Sequence, residues 1–456
     1  MPDVAPDARR SVRLAVRLGV AMLAGGAQTR EVETDLHAVL AALGIPDAEA
    51  VVSYPVVTVS AIAPGSAETT TATLAVRRWQ PDYSRLAAGA ALVRGVTQGR
   101  VELAAAEAQL ARIVAMAHPY PRWLTFAAPA LLSAAVAIMF GGGIGDAAAT
   151  LGIGLLIQPA VERIGRSDLS AFFQVVAGVL ATCVLVLALV QAGVPIDAPV
   201  VLTGALLRFL PGAALVSGMH DLIDGAVMSG AARLAEVTLL GSAIAGGIAL
   251  VDSIAAVLDT PLAITAEGGN SWSAGVLVGA GMVAVACYAG RLGVPRGALG
   301  WGVLLGAVAV LLSRGLIPGT ANLRGATGTL VAAIVIGAAG RELASRTEAP
   351  AALWSVPAIL PLLPAPTTLV PALAPDQAAR DALEGRAITT AFAIGVGVAI
   401  GSILVESWLH YRARLRLPRR PFEAAGRAAD AAAAGDAPAV RPPRRRTGVS
   451  ARRGRS

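Results

Sequence analysis

The chain has 456 residues, of which 55% are hydrophobic and only 15% are charged. Together with a mean hydropathy of +0.66, this composition excludes an ordinary soluble protein and predicts an integral membrane protein. The net charge of +7 is concentrated in the carboxyl-terminal tail, so it indicates little about the fold. The two cysteines, Cys183 and Cys287, lie in apolar runs, which excludes a disulfide framework and a thiolate metal site.

The first 122 residues precede the first long apolar run and lack the pattern of a signal peptide. Helical spacing of leucine and valine predicts two amphipathic helices, or one helix broken at Gly25-Gly26. Further on, two β-branched runs separated by the turn-forming sequence APGSAE predict two or three short strands, and two more helices follow. The region is therefore predicted to be a small cytoplasmic α+β domain. The expected strands lie at 51–62 and 69–79, and the later helices at about 82–98 and 101–117.

From Trp123 onward, apolar segments recur that are each long enough to cross a hydrocarbon core of about 30 Å. The pattern predicts a polytopic α-helical membrane protein with about ten transmembrane helices in two five-helix halves. The expected spans are 123–140, 145–161, 169–191, 198–217 and 234–257, then 272–290, 295–312, 324–341, 351–372 and 387–409. The corresponding domains are 1–122, 123–257 and 258–411, followed by an arginine-rich tail at 412–456 that is expected to be disordered.

Arginine placement predicts the orientation, because cytoplasmic loops retain more positive charge than exported ones. The outward loops at 192–197 and 259–270 contain no arginine, although Arg314, Arg324, Arg380 and Arg386 oppose the assignment. The balance favours a multi-pass protein of the cell membrane with both termini in the cytoplasm and a tail that contacts anionic lipid headgroups. An oligomer is compatible with the sequence. The inward arginines are Arg163, Arg166, Arg233, Arg291, Arg296, Arg341 and Arg346.

The stretch from 200 to 236 combines membrane-type sequence with an unusual number of polar residues. Proline removes an amide donor, and glycine lets another backbone or a ligand come close. Within lipid, a backbone broken in this way survives only where protein or a water-filled cavity satisfies it. The stretch is therefore expected to line a pathway for substrate and protons. The candidate residues are Arg208, Pro211, Gly212, His220, Asp221, Asp224, Ser229, Gly230 and Arg233.

These residue types suit the binding of a small zwitterion. The guanidinium of Arg208 can bind a carboxylate through two hydrogen bonds. Asp221 or Asp224 can hold an ammonium group or carry the coupling proton, and His220 is a second proton candidate.

Each candidate also has a structural interpretation. Arg208 could join two helices through an ion pair, and the group from His220 to Asp224 could lie in a solvated loop at a helix end. Ser229 and Gly230 suit close helix packing. The spacing does not indicate a metal site, and no cofactor or catalytic residue is predicted.

A faint internal repeat supports the two-half architecture. LLRFLPG, which ends at Gly212, and AILPLLPA at 358–365 occupy equivalent places five predicted helices apart. Because five is odd, the two halves would be inverted relative to each other. Paired, proline-interrupted segments in inverted halves indicate the binding site of a secondary transporter.

Several segments resemble the threonine/serine exporter family. They are AMLAGGAQTREVETDLHAVLAALGI, YPVVTVSA, GGGIGDA and LRFLPGAALVSGMHDLIDGAVMSGAARLAE. The resemblance implies a cytoplasmic amino-terminal region, ten transmembrane helices, and export of threonine and serine driven by the proton gradient. One departure from the family pattern is visible, since Pro364-Ala365 stands where relatives tend to have a proline-glycine pair.

Two alternatives remain open at this stage. One is an exporter of another small metabolite, such as a dicarboxylate or a short peptide. The other is a membrane-anchored enzyme or sensor whose chemistry lies in residues 1–122, where Glu31, Glu33, Asp35 and His37 invite a hydrolase interpretation. No serine or cysteine nucleophile with a paired base accompanies them, so the sequence favours a protein that is not an enzyme.

Overall fold

The structure, a computed structural model, describes residues 4–62, 69–77, 81–258, 272–317, 325–363 and 377–416. It is mostly helical and contains one three-stranded sheet near the amino terminus. The described residues up to Glu406 belong to one compact unit. The domain boundaries expected at 122, 257 and 411 therefore stay predictions.

The amino-terminal region, residues 4–117, begins with two helices, α1 (Val4–Ala24) and α2 (Thr29–Ala42). Between them Gly26 adopts a φ of 101°, which a residue with a side chain rarely adopts, so the chain turns there. This confirms the two-helix alternative. Helix α3 (Tyr83–Thr97) begins at Asp82, whose side chain accepts hydrogen bonds from the first-turn amides, and α4 (Leu103–Val114) follows.

Three antiparallel strands in the order β1-β2-β3 cover one side of α1. They are β1 (Glu49–Ser53), β2 (Val56–Ile62) and β3 (Thr69–Ala75). Alternate residues of β2 are buried, as expected for a strand with one face on a core. The first β-branched run forms two strands, since β1 ends at Ser53 and β2 begins at Val56. Tyr54 and Pro55, which connect them, are joined by a cis peptide bond. The predicted APGSAE turn lies outside the described residues.

Eight helices in the described part of the chain are long and apolar enough to cross a membrane, or nine if one bent pair counts as a single span. The bent pair is formed by α8 and α9, whose axes differ by 57°. The helices are α5 (Arg122–Met139), α6 (Ile144–Gly165), α7 (Ala171–Gln191), α8 (Ala198–Leu206), α9 (Gly212–Ile223), α10 (Val227–Val257), α11 (Ala274–Arg291), α12 (Arg296–Ser313), α13 (Ala326–Thr347), α14 (Ala352–Ala358) and α15 (Gln377–Arg416).

The boundaries of the fourth, fifth, ninth and tenth spans differ from expectation, and the tenth, expected at 387–409, lies within the longer helix α15. The fourth expected span, 198–217, is two helices joined by a break, and the second of them continues to Ile223. Helix α10 begins at Val227 rather than near residue 234, so Arg233 lies inside a helix and not in a loop. The ninth expected span, 351–372, contains a short apolar helix over Ala352–Leu362, and most of its remainder lies outside the described residues.

The two ends of the helical assembly make different contacts. At one end the indole of Trp272 donates to the carbonyl of Gly142 (2.8 Å), and Arg314 donates to the carbonyl of Met139 (2.8 Å). At the other end, the amide of Tyr83 in the amino-terminal region donates to the carbonyl of Leu292 (2.8 Å). The amino-terminal region thus lies at the end where α9, α11 and α13 finish.

Helix α5 packs closely against α6 and α8 through glycines on the two neighbours. A Cβ atom added to Gly154 of α6 would lie 2.8 Å from the Cβ of Ala130, and one added to Gly204 of α8 would lie 2.7 Å from the carbonyl oxygen of Ser133. Small residues allow helices to approach in this way within a membrane. The packing fixes α5 beside the break between α8 and α9.

Candidate functional site

The break between α8 and α9 follows from the sequence LRFLPG. Residues Leu207–Phe209 tighten into a 3-10 turn, and Leu210 is extended with φ −68° and ψ 129°. The ring of Pro211 disfavours a helical conformation at the preceding residue and supplies no amide hydrogen, so the helix ends. The chain then resumes as α9 at Gly212 in a new direction.

A second break with the same backbone form follows α14. Residues Leu360–Leu362 make a 3-10 turn, and Leu363, which precedes Pro364 in the sequence, is extended with φ −58° and ψ 135°. This agrees with the predicted repeat between LLRFLPG and AILPLLPA up to residue 363. Pro364 and Ala365, which carry the departure from the family pattern, lie outside the described residues.

The two breaks meet at a small cavity, which has room for about one water molecule. Helix α5 contributes its internal Pro129, and the last two turns of α11 contribute the polar side chains of Tyr288 and Arg291. The complete lining is Pro129, Leu132, Leu207, Arg208, Leu210, Cys287, Tyr288, Arg291, Leu360 and Leu363.

Arg208 is held in this cavity by neutral groups. It donates to the amide oxygen of Gln158 and to the carbonyl of Gly154 (3.4 Å), and its guanidinium lies 5.6 Å from the ring centroid of Phe209. Among the described residues, no carboxylate lies within ion-pair distance of it. The positive charge therefore remains available to an anion, since the guanidinium has five N–H donors.

The amino-terminal end of α9 also faces the lining residues. A Cβ atom added to Gly212 would lie 3.1 Å from the side chain of Leu363. The first amides of a helix have no intrahelical acceptor and carry a partial positive charge. Gly212 thus lets the second break approach, and the helix terminus adds to the positive potential that Arg208 creates.

The other predicted pathway residues lie elsewhere, where α9 and α10 contact the amino-terminal region. Asp221 accepts hydrogen bonds from the amide and the hydroxyl of Thr29, both 2.9 Å, and forms an ion pair with Arg233 at 3.2 Å. Both charged side chains are 1% exposed. Arg233 also donates to the carbonyl of Ala27 (3.0 Å) and lies 4.9 Å from the ring centroid of Tyr54.

The neighbouring candidates complete this contact. Ser229 accepts a hydrogen bond from the amide of Tyr54 (2.9 Å), and the carbonyl of Asp224 accepts one from Arg30 (2.6 Å). The ring of His220 contacts the carbonyl of Val216 (3.1 Å) within its own helix. Gly230 packs against α9, because an added Cβ atom would lie 2.6 Å from the side chain of Leu222.

The solvated-loop interpretation of the group from His220 to Asp224 is wrong for its first two members. His220 and Asp221 lie in α9 and are 6% and 1% exposed, and Thr29 of the amino-terminal region binds Asp221. Asp224, at the end of α9, is half-buried.

The sequence analysis did not identify several residues of the cavity and of the contact around Asp221. Gln158 lies in an expected membrane span and holds Arg208, although nothing in its local sequence indicates a binding role. Arg291 was used only for orientation. Thr29 and Tyr54 lie in segments that resemble the family, but neither they nor Tyr288 was named as a candidate. Their roles depend on contacts between residues far apart in the chain, which spacing along one segment does not indicate. Among the described residues, no group of three or more His, Cys, Asp or Glu could hold a metal ion.

Comparison with known proteins gives matches over most of the chain. The family described as "Putative threonine/serine exporter" matches residues 13–255, and that described as "Threonine/Serine exporter, ThrE" matches residues 278–407. The "Probable threonine/serine exporter" of Mycobacterium tuberculosis (strain ATCC 25618 / H37Rv) is 28% identical over 418 residues, which are 87% of this chain and 77% of the relative.

The "Threonine/serine exporter" of Corynebacterium glutamicum is 24% identical over 365 residues, which are 77% of this chain and 73% of the relative. No solved structure matches this chain. The first family match alone covers more than half of the sequence and includes the amino-terminal region, the cavity break and the contact around Asp221. Both the resemblance found in the sequence motifs and these matches lead to one assignment: this multi-pass membrane protein belongs to the threonine/serine exporter family.

Proposed function

We propose that this chain exports threonine and serine across the cell membrane by proton antiport, and that the cavity at the two helix breaks binds the substrate. The observation that carries the proposal is the unpaired guanidinium of Arg208 beside the start of α9. A guanidinium and free helix amides together suit the carboxylate of an amino acid. Pro211 and Gly212 create the break, and backbone carbonyls around it are suited to the ammonium group.

The coupling proton is proposed to bind in the buried group of His220, Asp221 and Arg233. Asp224, Ser229 and Gly230 hold α9 and α10 in place around this group. Protonation of Asp221 would remove the negative charge that pairs with Arg233 and would weaken the acceptor of the Thr29 hydrogen bonds. Gly212 and Asp221 lie in the same helix, α9, so a movement of α9 on protonation of Asp221 would also move Gly212 beside the cavity. Protonation is thereby linked to the shape of the substrate site.

The membrane arrangement proposed with this function has ten spans in two inverted five-helix halves and both termini in the cytoplasm. The matching backbone of the two breaks supports the repeat. The orientation is supported by the amino-terminal region, which lies at the same end as the inward arginines of α11 and α13. Arg314, whose position in an expected outward loop opposed this orientation, donates to the carbonyl of Met139 and lies over the ring of Phe140. Anionic lipid contact by the tail and an oligomeric state belong to the same proposal.

The experiment is efflux of labelled threonine and serine from preloaded proteoliposomes, with and without an imposed proton gradient. Arg208→Gln should lower gradient-dependent efflux by roughly 10-fold or more, because one charged hydrogen-bond partner is worth about 1.5–3 kcal/mol. Arg314→Gln is the matched control, since Arg314 also binds a carbonyl and a phenylalanine ring but does not line the cavity. Absence of efflux of both amino acids from the wild-type protein would contradict the substrate assignment, and equal efflux by the two variants would contradict the site.

A further inference from the structure

We propose that Arg291 is a second carboxylate-binding residue, which meets the substrate at the mouth of the cavity and shares its carboxylate with Arg208. This inference rests on the proposed function. Arg291 is the last residue of α11, and it borders the same cavity as Arg208. Its side chain is exposed, whereas that of Arg208 is half-buried, so the two guanidinium groups mark an outer and an inner position of one site.

The charges around the cavity favour an anionic group between the two arginines. The lining contains two guanidinium groups and no carboxylate, and their like charges repel each other. Glu162, which lies outside the lining, attracts Arg208, but neither arginine forms an ion pair with another described residue. A carboxylate bound between the two guanidinium groups relieves their repulsion.

The alternative explanation for Arg291 is its place at a helix end. A cation in the last turn is stabilised by the helix dipole whether or not a ligand binds. Arg163 tests this explanation, because it is also an exposed arginine in the last turn of a membrane helix, α6, and does not line the cavity. The two arginines thus share their local setting and differ in their access to the cavity.

The two guanidinium groups have different roles in binding the carboxylate. A carboxylate has two oxygens and about four acceptor positions, so it can receive both arginines at once. The exposed Arg291 attracts the carboxylate from solution, because a charged group at an entrance raises the local concentration of its counter-ion. Arg208, which is fixed by Gln158 and Gly154, then holds the carboxylate inside. Arg291 should accordingly control the affinity for substrate more than the maximal rate.

The test is threonine efflux measured over a range of substrate concentrations for the wild-type protein, Arg291→Gln, Arg291→Lys and Arg163→Gln. Arg291→Gln should raise KM by roughly 10- to 100-fold, the range expected for loss of a charged hydrogen bond, while Arg163→Gln leaves KM unchanged. Arg291→Lys keeps the charge but loses the planar fork, so its KM should be intermediate. Competition by L-threoninol, which lacks the carboxylate, should be the same in Arg291→Gln and wild type.

The outcomes separate this inference from the function it rests on. If the wild-type protein exports neither threonine nor serine, both the proposed function and the role of Arg291 are wrong. A wild-type protein that exports them, with the same KM in Arg291→Gln and Arg163→Gln, overturns the role of Arg291 alone. If Arg291→Gln does not insert into the membrane, Arg291→Lys decides, because a wild-type KM in that variant excludes a shared carboxylate.

Discussion

At the level of single residues, Asp221 joins two distant parts of the chain. Its carboxylate accepts from the amide and hydroxyl of Thr29, the first residue of α2, and pairs with Arg233 of α10. Gln28, the residue before α2, makes no capping hydrogen bond with its side chain, so Asp221 supplies the missing acceptor from another element. A negative charge at this helix end is also favoured by the helix dipole.

We expect Asp221→Asn to destabilise the protein strongly. The substitution leaves the guanidinium of Arg233 buried without its counter-ion, which typically costs about 3–5 kcal/mol. Asp224→Asn is the matched control, because the residue's backbone carbonyl, and not its carboxylate, accepts the hydrogen bond from Arg30. Thermal unfolding of the full-length variants in detergent measures the difference. Equal loss of stability in the two variants would contradict the importance of the ion pair.

The sequence indicated the charged residues of this contact but not their partners. Asp221 and Arg233 were visible because charge beside membrane-type sequence is costly and rare. Thr29 and Ala27 belong to an ordinary helix connection, and nothing in their local sequence indicates that they bind Asp221 and Arg233. The sequence therefore named two residues of this contact without their partners, and the solvated-loop alternative is wrong for His220 and Asp221.

At the level of elements, the start of α2 and the end of α9 exchange hydrogen bonds. Asp221 of α9 accepts from the start of α2, while Arg30 of α2 donates to the carbonyl of Asp224 at the end of α9. Sequence predicted the interruption at Pro211, because proline acts locally on the preceding residue. It did not predict the 57° bend, since the direction of α9 depends on these contacts and on packing against α10.

Packing between α9 and α10 gives the prediction at this scale. We expect Gly230→Ala to weaken it, because the added methyl carbon would lie 2.6 Å from Leu222 and 2.8 Å from the backbone oxygen of Gly218. Gly246→Ala in the same helix has no neighbour within 4 Å and should be neutral or slightly stabilising. Unfolding temperature and gradient-dependent efflux measure the two effects. If both variants match the wild type, α9 and α10 do not pack as closely as described.

At the level of the whole molecule, the amino-terminal region contacts three places on one end of the helical assembly. Arg30 binds the end of α9, the amide of Tyr83 donates to the carbonyl of Leu292 between α11 and α12 (2.8 Å), and Arg94 pairs with Glu348 after α13 (3.2 Å). Because α11 lines the cavity and α9 begins beside Leu363 of the lining, a movement of either helix must be accommodated by this region. The sequence predicted a separate domain, and its composition gave no sign of this bridging position.

The acidic face of α2 makes this arrangement sensitive to pH. Burial and the neighbouring Asp35 raise the pKa of Glu31 from 4.5 to about 7, although Arg341 on α13 opposes the shift. Burial also raises the pKa of Asp35 from 3.8 to about 6, against the effect of Arg94. Since the folded protein holds these protons more tightly than the unfolded chain, its free energy of unfolding falls as pH rises from about 4 to 7. Deprotonation leaves two neighbouring negative charges where α2 approaches α13.

We expect the unfolding temperature of the full-length protein in detergent to be higher at pH 5.5 than at pH 8. Glu31→Gln should flatten this dependence and should be more stable than the wild type at pH 8, because it removes a charge that burial disfavours. Glu33→Gln, on the same helix, is the matched control and should keep the wild-type slope. Parallel curves for all three proteins would exclude Glu31 as the titrating group. A flattened curve for Glu31→Gln alone would mean that pH adjusts how firmly the amino-terminal region holds α13.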